Sequence, residues 1–191
     1  YDNIQVDGNV RSSGARPIAQ VREAKASPSL VFDGKDSYVT IPHAPELSLP
    51  LGGTIEFWAY VEDFGNSLNP RFISKTGKDT GEGGWELFLA NGAMPAMHMG
   101  GKFLGRAGIP MSRWTHFAFT VEDGLWLMYL DGQELGELRG GVLSTEETDL
   151  RLGGHAGGGF NFQGRMRDVR LWSEVRSASD IQAQMKQNLT G

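Results

Sequence analysis

From residue 54 to residue 61 the chain alternates without a break. Ile55, Phe57, Ala59 and Val61 fall on one side, Thr54, Glu56, Trp58 and Tyr60 on the other. A period of two marks a strand with one face in a core. The pattern recurs along most of the chain. Segments 30–32 and 38–41 flank the turn Asp33-Gly34-Lys35-Asp36, and 71–75, 85–90 and 94–99 follow as short strands. Segment 114–121 sets Phe117, Phe119 and Val121 against His116, Ala118 and Thr120. Segment 125–130 is apolar on both faces and belongs inside a sheet. It ends in Asp131-Gly132, a hairpin signal because type I′ turns need positive φ, and 133–138 is its return strand. Segments 150–152 and 160–172 complete about a dozen strands, with turn signals every 8–12 residues. The fold class this predicts is all-β, an antiparallel two-sheet sandwich or barrel. No 10-residue helical patterns separate the strands, which argues against a parallel α/β sheet. One short C-terminal helix is predicted. Ser177-Ala-Ser179-Asp180 supplies its cap and a first-turn acid, and Ile181, Met185 and Leu189 form its apolar stripe.

Composition agrees. Glycine supplies 27 of 191 residues, about twice the usual share of roughly 7%, as turns and bulges require. The net charge of −5 and the absence of a continuous basic patch argue against nucleic acid as a partner. There is no cysteine, which excludes disulfides, thiolate metal sites and cysteine nucleophiles. No apolar window is long enough to insert in a membrane as a helix. Residues 1–27 read as a polar N-terminal arm with one edge strand, and 28–191 as the sandwich domain. The start Tyr1-Asp-Asn-Ile reads as a piece of a longer chain.

Four segments carry a resemblance. Leu30-Val-Phe-Asp-Gly-Lys-Asp-Ser-Tyr-Val-Thr-Ile-Pro42 and Thr54-Ile-Glu-Phe-Trp58 resemble the opening strands of the concanavalin A-like, laminin-G-like domains of bacterial extracellular proteins. Arg113-Trp-Thr-His-Phe-Ala-Phe-Thr120 with Leu127-Met-Tyr-Leu-Asp-Gly132 is similar to their central hairpin. Phe162-Gln-Gly-Arg-Met-Arg-Asp-Val-Arg-Leu-Trp172 and the Ile181 helix resemble their closing segment. The resemblance covers 28–191 in order and implies a jelly-roll sandwich. The family often continues into another strand after the helix, a strand that the N-terminal arm could supply here.

Several residues are candidates for chemistry. Glycan hydrolases of this fold use paired carboxylates. Glu147-Thr-Asp149 is the nearest approach, and it lacks the third acid of the glucanase pattern. His43, His98, His116 and His155 are isolated, and the run Gly153-Gly-His-Ala-Gly-Gly-Gly159 reads as a bulging loop. The resemblance implies a structural Ca2+ joining the first turn to the last strand, with Asp33, Gly34 and Asp168 at the matching positions. The alternative is that Asp33 and Asp36 hold their own turn and Asp168 pairs with Arg170. Sugars stack on exposed aromatic rings while polar groups hold their hydroxyls. Trp58, Trp126 and Trp172 read as core, whereas Trp85, after a glycine run, is expected near a loop. Loop 153–162 offers His155, Phe160 and Asn161. Loop 62–70 offers Asp63, Asn66 and Asn69. The methionines of 93–99 read as core, and Asn188-Leu-Thr190 is a formal glycosylation sequon.

The expectation is a non-catalytic ligand-binding module of an extracellular or cell-surface multidomain protein. Its partner would be a glycan or a glycoprotein, held on rim loops. The alternatives are a protein-interaction spacer and a glycan-active enzyme of the glucanase-like fold.

Overall fold

The computed structural model describes residues 4–6, 17–23, 29–63, 67–77, 84–91, 93–99, 102–105, 108–140 and 147–187. The strands run in chain order β1 (Ile4–Val6), β2 (Pro17–Glu23), β3 (Leu30–Asp33), β4 (Val39–Ile41), β5 (Gly53–Asp63), β6 (Arg71–Lys75), β7 (Trp85–Ala90) and β8 (Met94–Met99). They continue as β9 (Lys102–Gly105), β10 (Trp114–Glu122), β11 (Leu125–Leu130), β12 (Gln133–Arg139), β13 (Leu150–Leu152) and β14 (Gln163–Trp172). A 3₁₀ turn, Pro45–Ser48, precedes β5, and one helix, α1 (Ala178–Gln184), follows β14. The strands form two antiparallel sheets, the expected jelly-roll sandwich. The larger has eight strands in the order β1-β2-β14-β5-β10-β11-β12, with β3 also on β14. The smaller has six, β4-β13-β6-β7-β8-β9.

The alternation decides what lies between them. Ile55, Phe57, Ala59 and Val61 of β5 face Phe72, Leu87, Leu89 and Met97 of the smaller sheet in one continuous core. Phe57 sits among Phe72, Phe117 and Phe119, with ring centroids 5.2, 5.3 and 6.4 Å away. The hairpin signal is met: Asp131 and Gly132 have φ of 49° and 79°, and Asp123-Gly124 repeats this between β10 and β11. The Asp131 carboxylate also accepts from the His116 backbone N–H at 2.9 Å and pairs with Arg113 at 2.8 Å.

The arm contributes two strands rather than one. β2 pairs with the last part of β14, Val21 opposite Val169, while β3 pairs with its first part, Asp33 opposite Gln163. Strand β14 thus changes partner midway. Its register slips between Arg167 and Arg170, where Asp168 has a left-handed φ of 50°.

The outer face of the larger sheet is covered by α1. Its Ser177 forms a capping box with Asp180, and Ile181 packs against Ala118 and Tyr129. Met185 ends the helix half-buried, and Leu189 lies outside the described residues. Leu127 adds to this apolar contact, and polar contacts surround it. Trp58 Nε1 donates to the Met185 carbonyl at 2.8 Å, and Arg170 to that of Gln187 at 2.8 Å. Arg176 donates to the Asp180 carbonyl at 3.2 Å. Beneath them Glu56, fully buried, accepts from Arg176 and Trp172, each at 2.8 Å.

His116 lies beside this network, 1% exposed. Burial, assisted by Arg170, pushes its imidazole down to about 3, against a partial upward pull from Asp131. The unfolded chain takes up this proton near pH 6.5 and the native one does not. Stability should therefore be fully present above pH 6.5 and fall as the pH drops toward 3, by at most about 1.4 kcal/mol per pH unit from this group. Urea unfolding across that window checks it. His116→Gln should flatten the slope, and a wild-type profile level from pH 6.5 to 4 would contradict it.

Candidate functional site

On the smaller sheet the residues that do not enter the core define a second face. In β7, Trp85, Leu87 and Leu89 point inward, so Glu86, Phe88 and Ala90 point outward. In β8, Met97 and Met99 are core, leaving Ala96 and His98 on the outer face. Glu86 stands opposite Ser74 of β6 on one side and His98 of β8 on the other. Here a cleft of about 390 Å3 opens, lined by Arg71, Glu86, Phe88, Ala90 and His98 from strands and by Asn69 and Asn91 from loops. That volume lies within the range of small-ligand pockets.

An ion pair forms the floor. Arg71 donates to Glu86 through Nε at 3.2 Å and Nη2 at 3.1 Å, and through Nη1 to the Asn69 carbonyl at 2.7 Å. Its guanidinium is sandwiched between Phe88 and Phe160, 4.4 Å from each ring centroid. Both charges are buried, so each needs the other. Ser74 Oγ adds a long hydrogen bond to Glu86 at 3.4 Å, and His98 Nδ1 lies 3.9 Å from the same carboxylate. The Asn69 side chain accepts from the Asn91 N–H at 3.1 Å, which fixes the cleft's polar end.

Loop 153–162 lies beside the cleft and meets it through Phe160, which stacks on Arg71. Gly153 has a φ of 82°, and a Cβ there would lie 2.2 Å from the Phe32 ring, so the loop can leave β13 this tightly only with glycine. His155 folds back onto the sheet. Its Nδ1 accepts from the Gly157 N–H at 2.9 Å, which assigns the proton of the neutral ring to Nε2, 3.3 Å from Glu86 Oε1. Burial pushes the His155 imidazole down, opposed by Glu86 and reinforced by Arg71 and Arg151. Phe160 has a φ of 52°, a conformation a bulky residue adopts at some cost, and its ring remains 39% exposed over Arg71.

The structure thus brings together His155, Phe160 and Asn69 among the loop residues singled out from sequence. Asn161 stands apart and donates to the Lys35 carbonyl, tying the loop to the Asp33 turn. Asn66 lies outside the described residues, as does the sequon Asn188. Trp85 is corrected. It is 1% exposed and packs in the core, because β7 begins at Trp85 itself and turns it inward with Leu87 and Leu89. Arg71, Glu86, Phe88 and His98 were missed. The one signal for them was Glu86, a lone charge inside Trp-Glu-Leu-Phe-Leu-Ala.

The metal residues are not brought together either. Asp33 stands opposite Gln163, and Asp168 lies five residues further along β14, roughly 16 Å at about 3.3 Å per residue. The Asp33 carboxylate serves its own turn: it accepts from Ser37 Oγ at 2.6 Å and from the Lys35 N–H at 2.9 Å, and these bonds hold it well below the usual carboxylate range. Gly34 has a φ of 73° and donates its N–H to the Phe162 carbonyl. Asp168 faces Arg170 at 3.8 Å. The alternative reading of these acids, turn and ion pair, is the one the geometry matches. Among the described residues no group of three or more acids or histidines is placed to hold a metal ion. Of the other candidates, Asp149 accepts from the His43 N–H, and Glu147 is exposed. Glu86 is the single carboxylate among the described residues lining the cleft.

A family model described as the concanavalin A-like lectin/glucanases superfamily, of laminin G type, matches residues 33–182. The adhesion G-protein coupled receptor V1 of Danio rerio is 35% identical over 72 residues, which is 36% of this chain and 1% of that receptor. The chain therefore spans a very small part of this relative. Among solved structures, the CBM40 module of a Ruminococcus gnavus IT-sialidase, bound to α2,3 sialyllactose, superposes with a TM-score of 0.68 at 14% identity. The superposition covers 88% of this chain and 98% of that one. Domain 4 of AbnA, an extracellular GH43 arabinanase of Geobacillus stearothermophilus, in complex with arabinotriose, gives 0.62 at 18% identity, covering 94% and 86%. Similarity at this level concerns the fold.

Proposed function

Because the chain belongs to the concanavalin A-like lectin/glucanases superfamily, we propose that it is a non-catalytic glycan-binding module of an extracellular protein, and that the sugar sits in the cleft on the outer face of the smaller sheet. Structural neighbours that are carbohydrate-binding domains support this reading at the level of the fold. The observation that carries it is Phe160, whose exposed ring is held over the buried Arg71–Glu86 pair by a left-handed backbone. A sugar needs such a combination, an apolar ring for its C–H face and fixed polar groups for its hydroxyls. Asn69, Asn91 and His98 are those groups. Hydrolysis is not part of the proposal. The two-carboxylate mechanism needs an acid and a nucleophile or base, and Glu86 is neutralised by Arg71. Nor is calcium assigned a role, since Asp33 ends β3 opposite Gln163 and Asp168 lies five residues further along β14.

A panel of neutral and carboxylated oligosaccharides, titrated calorimetrically, tests this. At least one should bind, and Phe160→Ala should weaken it about tenfold while the melting temperature stays within a few degrees. A blank panel, or affinity indifferent to Phe160→Ala, would overturn it.

A further inference from the structure

The outer face of the smaller sheet extends beyond the cleft. Successive registers align Thr40, Arg151, Ser74, Glu86 and His98 in one row across β4, β13, β6, β7 and β8. Leu150 and Leu152 are core, so Arg151 projects outward with Ser74 and Glu86. Two strand spacings, roughly 10 Å, separate the Arg151 position from that of Glu86. His155 stands between them: its carbonyl accepts from Arg151 Nη1 at 2.8 Å, and its ring touches Glu86.

Arg151 differs from Arg71 in one respect. The charge of Arg71 is met by Glu86, whereas among the described residues Arg151 makes no ion pair with any carboxylate. Its guanidinium lies 4.1 Å from the centroid of Tyr38, a ring that is 50% exposed. A guanidinium has five N–H donors and stays charged at any physiological pH. In the row of described residues Arg71 and Glu86 pair with each other, which leaves Arg151 as a positive charge without a carboxylate partner there, on a protein of net charge −5.

We propose that Tyr38 and Arg151 form a second sugar-binding position, specific for a carboxylated residue, so that the ligand is an acidic oligosaccharide long enough to reach from the Phe160 cleft past His155. The proposal rests on the glycan-binding reading and adds the charge and length of the ligand. The carboxylate meets the guanidinium fork, the geometry in which arginine binds carboxylates best, and the sugar ring lies beside Tyr38.

Two probe pairs test it and separate the sources of the carboxylate. Sialyllactose against lactose places it on a terminal sugar. Tetragalacturonate against its methyl ester places it along the chain. Wild type should bind one carboxylated probe at least about tenfold more tightly than its neutral counterpart. That preference should shrink as salt rises from about 0.05 to 0.5 M. Arg151→Gln should bring the carboxylated probe down to the affinity of the neutral one measured on the same variant, and Arg151→Lys should recover part of the difference. If neutral and carboxylated probes bind wild type alike, and Phe160→Ala weakens both, the acidic position falls and the cleft stands. If no oligosaccharide binds, both fall. The wild-type preference and its salt dependence decide the matter even where a variant folds poorly.

Discussion

Replacing Glu56 by Gln should destabilise the fold by roughly 3–5 kcal/mol, the cost of removing one partner from a buried ion pair. Glu56 is 0% exposed. Its Oε1 accepts from Trp172 Nε1 and Arg176 Nη1, each at 2.8 Å, and has Arg170 Nη1 at 3.6 Å. Gln keeps the shape and loses the charge, so two guanidinium groups stay under α1 without a buried anion. Domains of this size carry about 5–15 kcal/mol in total. A fall in melting temperature of about 10 °C follows at roughly 2–4 °C per kcal/mol. Arg176→Met in the Glu56→Gln background should cost less than the sum of the two single changes, because the second removes a charge that the first orphaned. A single-variant loss below about 1 kcal/mol would mean that water reaches the pair.

The next residue gives an effect of similar size for the opposite physical reason. Phe57→Ala should cost about 3–5 kcal/mol through lost burial and an unfilled cavity. Phe57 is fully buried and touches rings contributed by both sheets. Phe57→Leu keeps most of the volume and should cost well under half as much. Urea unfolding with an unchanged slope separates the two variants from any change in compactness. Equal losses for Ala and Leu would show that ring contacts, not volume, carry this part of the core.

The strands were legible because the period of two is a local signal. Segments 71–75, 85–90 and 94–99 coincide with β6, β7 and β8. What sequence could not supply is register. Asp33 and Asp168 were paired by resemblance, yet their separation depends on β14 exchanging β3 for β2 as its neighbour. The cleft was hidden for a related reason. Strands β6 and β7 are buried on both faces, so Arg71, Glu86 and Phe88 look like interruptions of a core rather than members of a site. Strand β9, four residues long, is too short to show a period, and α1 is shorter than its stripe suggested. Trp85 misled because a glycine run stood before it, although Leu87 and Leu89 continued its alternation inward.

The polar seat of α1 has a practical consequence for anyone excising this domain. The sheet offers Trp58 and Arg170 to the carbonyls of Met185 and Gln187, so those carbonyls complete the hydrogen bonding of the sheet as much as of the helix. A gene fragment terminated after Trp172 would encode every strand among the described residues and still yield a protein with open valences on its broad side. The useful cut lies downstream of Gln187, and a solubility tag belongs there only behind a linker that leaves this seven-residue lid in place.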